Sequence, residues 1–270
     1  MLEIRRPAVA GTFYYLGREM LEGQVAKLFR QAKGRPRFRA VISPHAGYPY
    51  SGKTAARAIA SLLPAGTFII LGPNHTGLGK AFSIMSSGEW ETPMGRVPID
   101  SGLAGRLRRN PVEEDPLAHY QEHSIEVQLP LLQHRFKEFS FVPIAILNIT
   151  YGEAFLSDCM KLGKGIAAVL ESSDKTGLVV SSDFSHYVPL DEAAEKDRLA
   201  LETIMALDPR GLFRVLSETG GSVCGFGPIA ALLAAARELG LKPEMIHSST
   251  SAEALGDRSS VVTYHALGFG

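Results

Sequence analysis

Residues 67–75 read Thr67-Phe-Ile-Ile-Leu-Gly-Pro-Asn-His75, an apolar run that ends in a glycine, a proline and a histidine. A short apolar run that is closed by turn residues is typical of a buried β-strand. Residues 40–45 repeat this arrangement, because Ala40-Val-Ile-Ser43 is followed by Pro44 and His45. Two histidines therefore follow two predicted strands, at the point where each strand ends.

Strands and helices alternate along the rest of the chain. Three further apolar runs predict strands at residues 141–147, 177–182 and 260–264. Helical spacing of apolar residues is found at residues 19–32, 52–63, 124–136, 153–170, 191–206 and 227–239. Parallel strands need long crossover connections, which are usually helices. The sequence therefore predicts an α/β protein with a three-layer α/β/α fold and a mostly parallel or mixed central sheet.

Length, composition and charge exclude several classes of protein. The chain has 270 residues, 45% of them hydrophobic, and no linker or repeat divides it, so we expect residues 1–270 to form a single domain. Its formal net charge is +0, without runs of like charge, so we expect no nucleic-acid partner. No segment approaches the roughly 20 apolar residues of a membrane span, and the first residues lack a signal peptide's apolar run. We therefore expect a cytoplasmic protein with no membrane association.

The strand ends carry candidate metal ligands, since ligands in open α/β sheets bind beyond the carboxyl ends of the strands. Two imidazoles and one anionic side chain form a common ligand set for transition metals, and His45 and His75 suit the nitrogen positions. Cys224 lies in a glycine-rich loop before a predicted helix, whose N-terminal charge favours a thiolate, so it is a candidate anionic ligand or nucleophile. The structural alternatives are histidines that bond loop backbone and a cysteine that only packs.

Further candidates follow the predicted strand at residues 177–182. Asp183 and His186 are three residues apart, which makes His186 a candidate general acid/base and Asp183 a group that could orient it. Turn formation explains Asp183 equally well. His123 and Glu126 have a helical i, i+3 spacing that can serve metal binding, but capping of a helix's first turn explains Glu126 well.

Motifs of several other enzyme classes are missing from the sequence. There is no G-x-x-x-x-G-K-[ST] phosphate loop, no G-x-S-x-G nucleophile elbow and no C-x-x-C pair. Kinase-like, elbow-hydrolase and zinc-ribbon functions are therefore excluded. A cysteine or metal-assisted hydrolase is disfavoured, because no sequence signal indicates an oxyanion hole.

Seven ordered motifs resemble the Memo family. They are Arg6-Pro-Ala-Val-Ala-Gly-Thr-Phe-Tyr14, Pro44-His-Ala-Gly-Tyr48 with Tyr50-Ser-Gly52, Gly72-Pro-Asn-His75, Glu91-Thr-Pro-Met-Gly95, Glu122-His-Ser-Ile-Glu-Val-Gln-Leu-Pro130, Ser182-Asp-Phe-Ser-His-Tyr187 and Cys224-Gly225. The motifs cover nearly the whole chain, and seven in order are far more specific than any single spacing.

The resemblance implies a fold similar to class III extradiol dioxygenases, in which two histidines and a carboxylate hold non-haem Fe(II) that binds a catechol and dioxygen. The ligands that it implies here are His45, His75 and Cys224. Asp183 and His186 would lie beside the metal, with His186 in the place of the acid/base histidine. Because a thiolate replaces the glutamate, copper or zinc are alternatives to Fe(II), and ring cleavage does not follow from the resemblance.

Two functions are consistent with this site. The first is a metal-dependent oxidoreductase that acts on an unidentified small-molecule substrate. The alternative is a non-catalytic adaptor that binds a metal, a ligand or a peptide in the same pocket. Asp183 and His186 favour the enzyme, because a simple metal holder needs neither. Family members are also encoded alongside a radical-SAM protein and a further small protein, which implies partners in a shared pathway.

Overall fold

The computed structural model describes residues 3–32 and 34–270, and alternation of strands and helices dominates this part of the chain. The strands are β1 (Ile4–Arg5), β2 (Ala40–Ser43), β3 (Thr67–Pro73), β4 (Phe82–Ile84), β5 (Glu89–Thr92), β6 (Gly95–Pro98), β7 (Glu113–Glu114), β8 (Ser140–Ile146), β9 (Thr176–Ser181), β10 (His186–Val188), β11 (Pro243–Thr250) and β12 (Val261–Phe269). The α-helices are α1 (Arg18–Gln31), α2 (Tyr48–Ala60), α3 (Ser101–Leu107), α4 (Leu129–Phe136), α5 (Glu153–Glu171), α6 (Leu190–Met205), α7 (Pro209–Thr219), α8 (Phe226–Leu239) and α9 (Ala252–Leu255). Short 3-10 helices cover Pro116–His119 and Glu126–Gln128.

One mixed sheet organises the fold. Among the described residues its strand order is β10-β12-β2-β9-β3-β8-β4-β7, and β11 adds to β12. The central strands β2, β9, β3 and β8 are parallel neighbours. The flanking pairs β12–β2 and β4–β8 are antiparallel. A separate small sheet has the order β1-β5-β6.

Helices cover both faces of the large sheet. Helices α1, α2 and α4 pack on one another, and α2 lies against β2 and β12. Helices α5, α7 and α8 form a second packed group, in which α8 lies against β3 and β9. Every residue of β2 and of β9 is buried, as expected for parallel strands that are covered on both sides. The predicted three-layer α/β/α class is confirmed.

Two helix starts differ from the predictions. Helix α2 begins at Tyr48 rather than at residue 52, because Pro49 occupies the first turn, where a missing backbone N–H costs least. The helix predicted from residue 124 begins only at Leu129, after the 3-10 turn Glu126–Gln128. The segment before it is therefore a compact turn, and its side chains point in directions that helical spacing does not predict.

The parallel strands bring the predicted site to one edge of the sheet. His45, His75 and Asp183 each lie two residues beyond the end of β2, β3 or β9, and these strands are parallel neighbours. Cys224 comes from the loop between α7 and α8. A Cβ atom on Gly225 would lie 2.5 Å from Ser182 Cβ, so only glycine allows this loop to approach the end of β9 so closely. Within the described ranges, none of the helices has the length and apolar character needed to cross a membrane.

Candidate metal centre

Three predicted ligands converge at the carboxyl edge of the sheet. Candidate ligand atoms of His45, His75 and Cys224 all lie within 4.8 Å of one another. His45 Nε2 is 3.2 Å from Cys224 Sγ. His45 is buried, Cys224 is half-buried and His75 is exposed at the cavity edge. Small side-chain movements would bring all three atoms to about 2.0 to 2.3 Å from one ion, the usual metal–ligand distances.

Strand β9 determines which nitrogen of His45 carries the proton. Ser181 on β9 donates its hydroxyl proton to the carbonyl oxygen of Ser124, at 2.7 Å. A hydroxyl has one proton, so the ring must donate in the 2.9 Å contact between His45 Nδ1 and Ser181 Oγ. His45 therefore carries its proton on Nδ1 and presents an unprotonated Nε2 to Cys224 Sγ.

The side-chain amide of Gln128 supports this arrangement. Its Oε1 accepts a hydrogen bond from Ser43 Oγ at 2.8 Å. Its Nε2 then donates to the carbonyl oxygen of Pro44 at 2.9 Å and to Ser181 Oγ at 3.0 Å. Because the amide donates to Ser181 Oγ, the serine proton is directed to Ser124. Hydrogen bonds of this kind behind a ligand fix its orientation and tautomer.

Glu122 orients His75 in a similar way. Its Oε1 lies 3.0 Å from His75 Nδ1, and its Oε2 accepts the backbone N–H of His75. An ionised carboxylate only accepts hydrogen bonds, so Nδ1 of His75 carries a proton, and in the neutral ring the lone pair is on Nε2. Carboxylate–imidazole pairs are common behind metal-binding histidines. Glu122 is the first residue of one of the seven sequence motifs, and no role was assigned to it there.

The electrostatics of the site favours a neutral imidazole at His45 and an ionised carboxylate at Glu122. Burial, followed by the charges of neighbouring histidines, holds the pKa of His45 well below its usual range. Burial alone would raise the pKa of Glu122, but the hydrogen bond and charge of His75, with the charge of His123, lower it to about 2. Neutral imidazole is the form that binds metal ions.

A second group, formed by His75, Glu122 and His123, also has its potential ligand atoms within reach of one ion. N–H groups of His75, His123 and Ser124 already point at the Glu122 oxygens. The carboxylate of Glu122, the anionic member of this group, therefore already accepts hydrogen bonds from within the protein. The group that contains Cys224 is the better candidate for a metal.

Cys224 supplies the sulfur of the candidate site. Its Sγ accepts the backbone N–H of Asp183 at 3.1 Å, and Asn148 Nδ2 donates to its carbonyl oxygen. Burial, followed by the charge of Asp183, raises the pKa of the Cys224 thiol well above its usual range. The sequence predicted a thiolate favoured by the following helix, but burial outweighs that effect. A cation between this sulfur and the imidazoles would offset the cost of the thiolate charge.

A cavity of about 650 Å³ opens beside the three candidate ligands. Its aromatic walls include Phe13, Tyr50, Tyr187 and Tyr264. The other predicted site residues, Asp183 and His186, line the same cavity. The fold therefore brings all five predicted site residues to one place, and their roles stay predictions.

Asp183 and His186 have different partners from those expected. The ring of His186 is oriented by Ser222, whose carbonyl oxygen lies 2.9 Å from His186 Nδ1. A carbonyl only accepts, so Nδ1 donates and Nε2 is left as a base. Asp183 instead accepts the backbone N–H of His45 at 2.9 Å. Burial raises the pKa of Asp183 to about 6, although the His45 N–H and the charge of His186 lower it in part.

His123, whose role the sequence left open, lies among the candidate ligands. Its ring stacks on His75 with 4.7 Å between ring centroids and meets the edge of His45 at 5.4 Å. It also lines the cavity. Burial lowers the pKa of His123, although the charge of Glu122 opposes this effect. A neutral imidazole therefore faces any molecule that enters beside the metal site.

The spacing of Glu126 suggested a helix cap, but Glu126 does not cap a helix. It is fully buried and pairs with the Arg5 guanidinium, and it accepts hydrogen bonds from Tyr14 Oη and the backbone N–H groups of Ala8 and Val9. Arg5 also lies over the ring of Trp90, at 4.3 Å from its centroid. Through these contacts, Glu126 holds the N-terminal segment against the rest of the protein. Helical spacing was misleading because α4 has not yet begun at this residue.

Similarity to known proteins identifies the family of this chain. Residues 5–268 match a family model described as Memo-like protein. A MEMO1 family protein of Sulfolobus acidocaldarius is 42% identical over 287 residues, which cover 99% of each chain. One from Methanosarcina barkeri is 41% identical over 268 residues, covering 98% of this chain and 99% of the relative.

Among solved structures, an uncharacterized protein of Escherichia coli K12 has a TM-score of 0.56 and 14% identity, over 86% of this chain and 99% of that one. This similarity supports the fold alone. The family model and both archaeal relatives span nearly all of the sequence, including every residue of the candidate centre. The chain therefore belongs to the Memo family.

Proposed function

We propose that this protein is a non-haem metal-dependent oxidoreductase, similar to dioxygenases, that acts on a small substrate in the cavity beside its metal centre. The observation that carries the proposal is the tautomer of the two histidines. Ser181 and Glu122 bind Nδ1 of His45 and His75, so in the neutral rings Nε2 is the nitrogen left for a metal. His45 Nε2 lies 3.2 Å from Cys224 Sγ, and candidate ligand atoms of all three side chains lie within 4.8 Å of one another. A site that only stabilised the fold would not need two such nitrogens beside a thiol.

Fe(II) fits this set of ligands, and copper or zinc are alternatives because sulfur is a soft ligand. When bound, Fe(II) would supply a redox-active centre with open coordination positions. His45, His75 and Cys224 would hold it. The aromatic walls of the cavity suit a planar ring, which can stack on them. His186 has its Nδ1 bonded to Ser222, so its Nε2 can accept a proton from such a substrate.

Asp183 has a supporting role in the proposed reaction. Its carboxylate holds the backbone of His45 and lies 4.0 Å from the Nε2 atom of the same ring. The charge of His186 lowers the pKa of Asp183 in part, so the two groups interact across the cavity. Asp183 would therefore keep the first ligand in place beside the acid/base histidine.

Metal content and cysteine labelling test the ligands without an activity assay. We expect protein purified without a histidine tag and without oxygen to contain about one metal ion per chain. In the chelated protein, iodoacetamide should label half-buried Cys224 faster than fully buried Cys159, and added Fe(II) should protect Cys224. Faster labelling of Cys159, or no protection of Cys224, would reject Cys224 as a ligand.

Oxygen consumption tests the reaction itself. Iron-loaded protein should consume oxygen when it is mixed with at least one member of a panel of catechols. If metal binds but oxygen and redox assays detect no turnover, the adaptor function is favoured, in which the same pocket holds a metal, a ligand or a peptide without reaction.

A further inference from the structure

Strand β12 separates two cavities. Val262 and Tyr264 line the cavity of the metal centre, whereas Thr263 and His265 line a second cavity of about 670 Å³. Side chains alternate along a strand, so neighbouring residues of β12 face opposite sides of the sheet. The second cavity lies between β12, the edge strand β11 and helix α6, and it shares none of the candidate metal ligands.

A serine, a histidine and an aspartate are connected by hydrogen bonds in this second cavity. Ser248 Oγ lies 2.8 Å from His265 Nδ1, and His265 Nε2 lies 2.9 Å from Asp197 Oδ2. Ser248 on β11 and His265 on β12 are direct cross-strand partners. Asp197 comes from α6 and is 3% exposed, whereas Ser248 is exposed. Three separate elements therefore place these groups in one line that ends at the cavity.

The surrounding contacts determine the direction of the hydrogen bonds. Asp197 Oδ1 accepts the backbone N–H of Ser185 at 3.2 Å and its hydroxyl at 2.7 Å. An ionised carboxylate cannot donate, so His265 Nε2 donates to Asp197 Oδ2. A neutral ring then has its lone pair on Nδ1, which lies closer to Ser248 Oγ and accepts more strongly than Met245 Sδ at 3.5 Å, so the Ser248 hydroxyl donates to the ring. The two ring nitrogens have the reverse roles from those in a serine hydrolase, where the serine binds Nε2 and the aspartate binds Nδ1, but the order of the three groups and the direction of proton donation are the same.

We propose that Ser248, His265 and Asp197 form a second, metal-independent catalytic site that hydrolyses small carboxylic esters with an apolar acyl group. Leu190, Ala194, Leu201 and Met205 line the same cavity and would contact the acyl chain. Unlike a G-x-S-x-G serine, Ser248 lies on an edge strand, which explains why its sequence context gave no signal.

The reaction has two balanced steps. Ser248 Oγ forms a bond to the ester carbonyl carbon while its proton passes to His265 Nδ1; the bond to the alcohol oxygen breaks, and the alcohol leaves with that proton. Water then attacks the acyl-serine, again giving a proton to His265, and the acid leaves as Ser248 recovers its proton. Asp197 remains ionised and holds the ring, so it is a positioning residue.

Covalent labelling tests the nucleophile directly. The full chain, treated with chelator to remove metal, is incubated with a fluorophosphonate probe, and the modified serine is identified by peptide mass spectrometry. We expect an adduct on Ser248 and none on exposed Ser87, which lies outside this cavity. Absence of an adduct on Ser248, or equal labelling of the two serines, would overturn the proposal.

Hydrolysis of p-nitrophenyl butyrate by the same chelated protein tests turnover. Ser248→Ala should abolish the rate above the uncatalysed background, because it removes the nucleophile, while Ser87→Ala keeps it. Ser248 is exposed, so its variant should fold, and its melting temperature provides the check. Asp197→Asn should lower kcat with little change in KM. A wild-type rate in Ser248→Ala would overturn the proposal, as would an Asp197→Asn effect confined to KM.

Discussion

Glu122 and Glu126 lie four residues apart in one motif, and both are fully buried, yet their surroundings differ. Glu126 is bound by Arg5, Tyr14 and backbone N–H groups, and this network ends within the protein. Glu122 binds Nδ1 of His75, whose opposite nitrogen remains free at a cavity. Burial and membership of a family motif therefore do not separate structural from functional residues. What distinguishes the two glutamates is whether the hydrogen-bond network ends at an atom that can still bind a ligand.

Removal of a proposed ligand should give the largest effect. His75→Ala should abolish stoichiometric metal binding, because it removes one of the three ligand side chains. His123→Ala is the matched control, since it removes a neighbouring ring that stacks on His75 but is not a proposed ligand. Metal analysis after gel filtration provides the measurement. Full metal content in His75→Ala, or equal loss in both variants, would contradict the assignment.

His186 is proposed to be an acid/base group, so its loss should affect turnover without affecting metal content. His186→Ala should retain metal and lower any turnover by about 10² to 10⁴. Metal stoichiometry and turnover are measured on the same preparation. Loss of metal in this variant would mean that His186 is itself a ligand, in addition to His45, His75 and Cys224.

Substitution of Glu126 should lower the free energy of unfolding more than it affects function. Glu126→Ala leaves the Arg5 guanidinium buried without its partner, which should cost about 3–5 kcal/mol of unfolding free energy. Glu113→Ala, at an exposed residue near Lys80, should cost less than about 1 kcal/mol. Urea unfolding of chelated protein measures both. A small effect at Glu126 would mean that the N-terminal segment is held mainly by other contacts.

Asp183 provides a third buried carboxylate, and its pKa is shifted in the opposite direction from that of Glu122. Burial raises the pKa of Asp183 from 3.8 to about 6, so its neutral form stabilises the folded protein below pH 3.8, and this contribution is lost as the pH rises through about 6. Asp183→Asn cannot ionise and should be more stable than wild type at pH 7.5 by about 2 to 3 kcal/mol. The difference should vanish near pH 4. Unfolding of chelated protein at both pH values provides the test, and a difference independent of pH would argue against ionisation as its cause.

The smallest expected effect concerns the support of a ligand rather than the ligand itself. Glu122→Gln keeps the shape of the side chain but removes the charge behind His75, so metal affinity should fall by about 10- to 100-fold. Titration with a competing chelator measures this. An unchanged affinity would mean that Glu122 resembles Glu126 and only maintains the local fold.

The central strands were predictable because they are buried on both faces. The runs at residues 40–43 and 67–71 are almost continuously apolar, and β2 and β3 form there with little change in their bounds. Edge strand β11 was missed, because only one of its eight residues is buried and its sequence shows no apolar run. The candidate ligands His45 and His75 could be singled out because each lies two residues beyond the end of a buried strand.

The hydrogen-bond partners of those ligands were not assigned from the sequence. Ser181 and Glu122 act on residues that are distant along the chain, and only the parallel register of the strands and the turn before α4 bring them together. Ser248 and His265 meet through the pairing of β11 with β12. Local spacing can reveal a residue that follows a strand, but it cannot encode which distant side chain binds that residue.

The Gln128 amide has a further consequence for the candidate metal centre. Swapping its nitrogen and oxygen would barely change its shape, but the carbonyl oxygen of Pro44, which only accepts, requires Nε2 on its side. Through Ser181, that orientation determines which nitrogen of the His45 ring carries the proton. A substitution at Gln128, which does not line the cavity, would thus disturb the candidate ligand without removing any ligand atom. The inheritance of this centre would depend on a glutamine that no search for metal-binding residues would select.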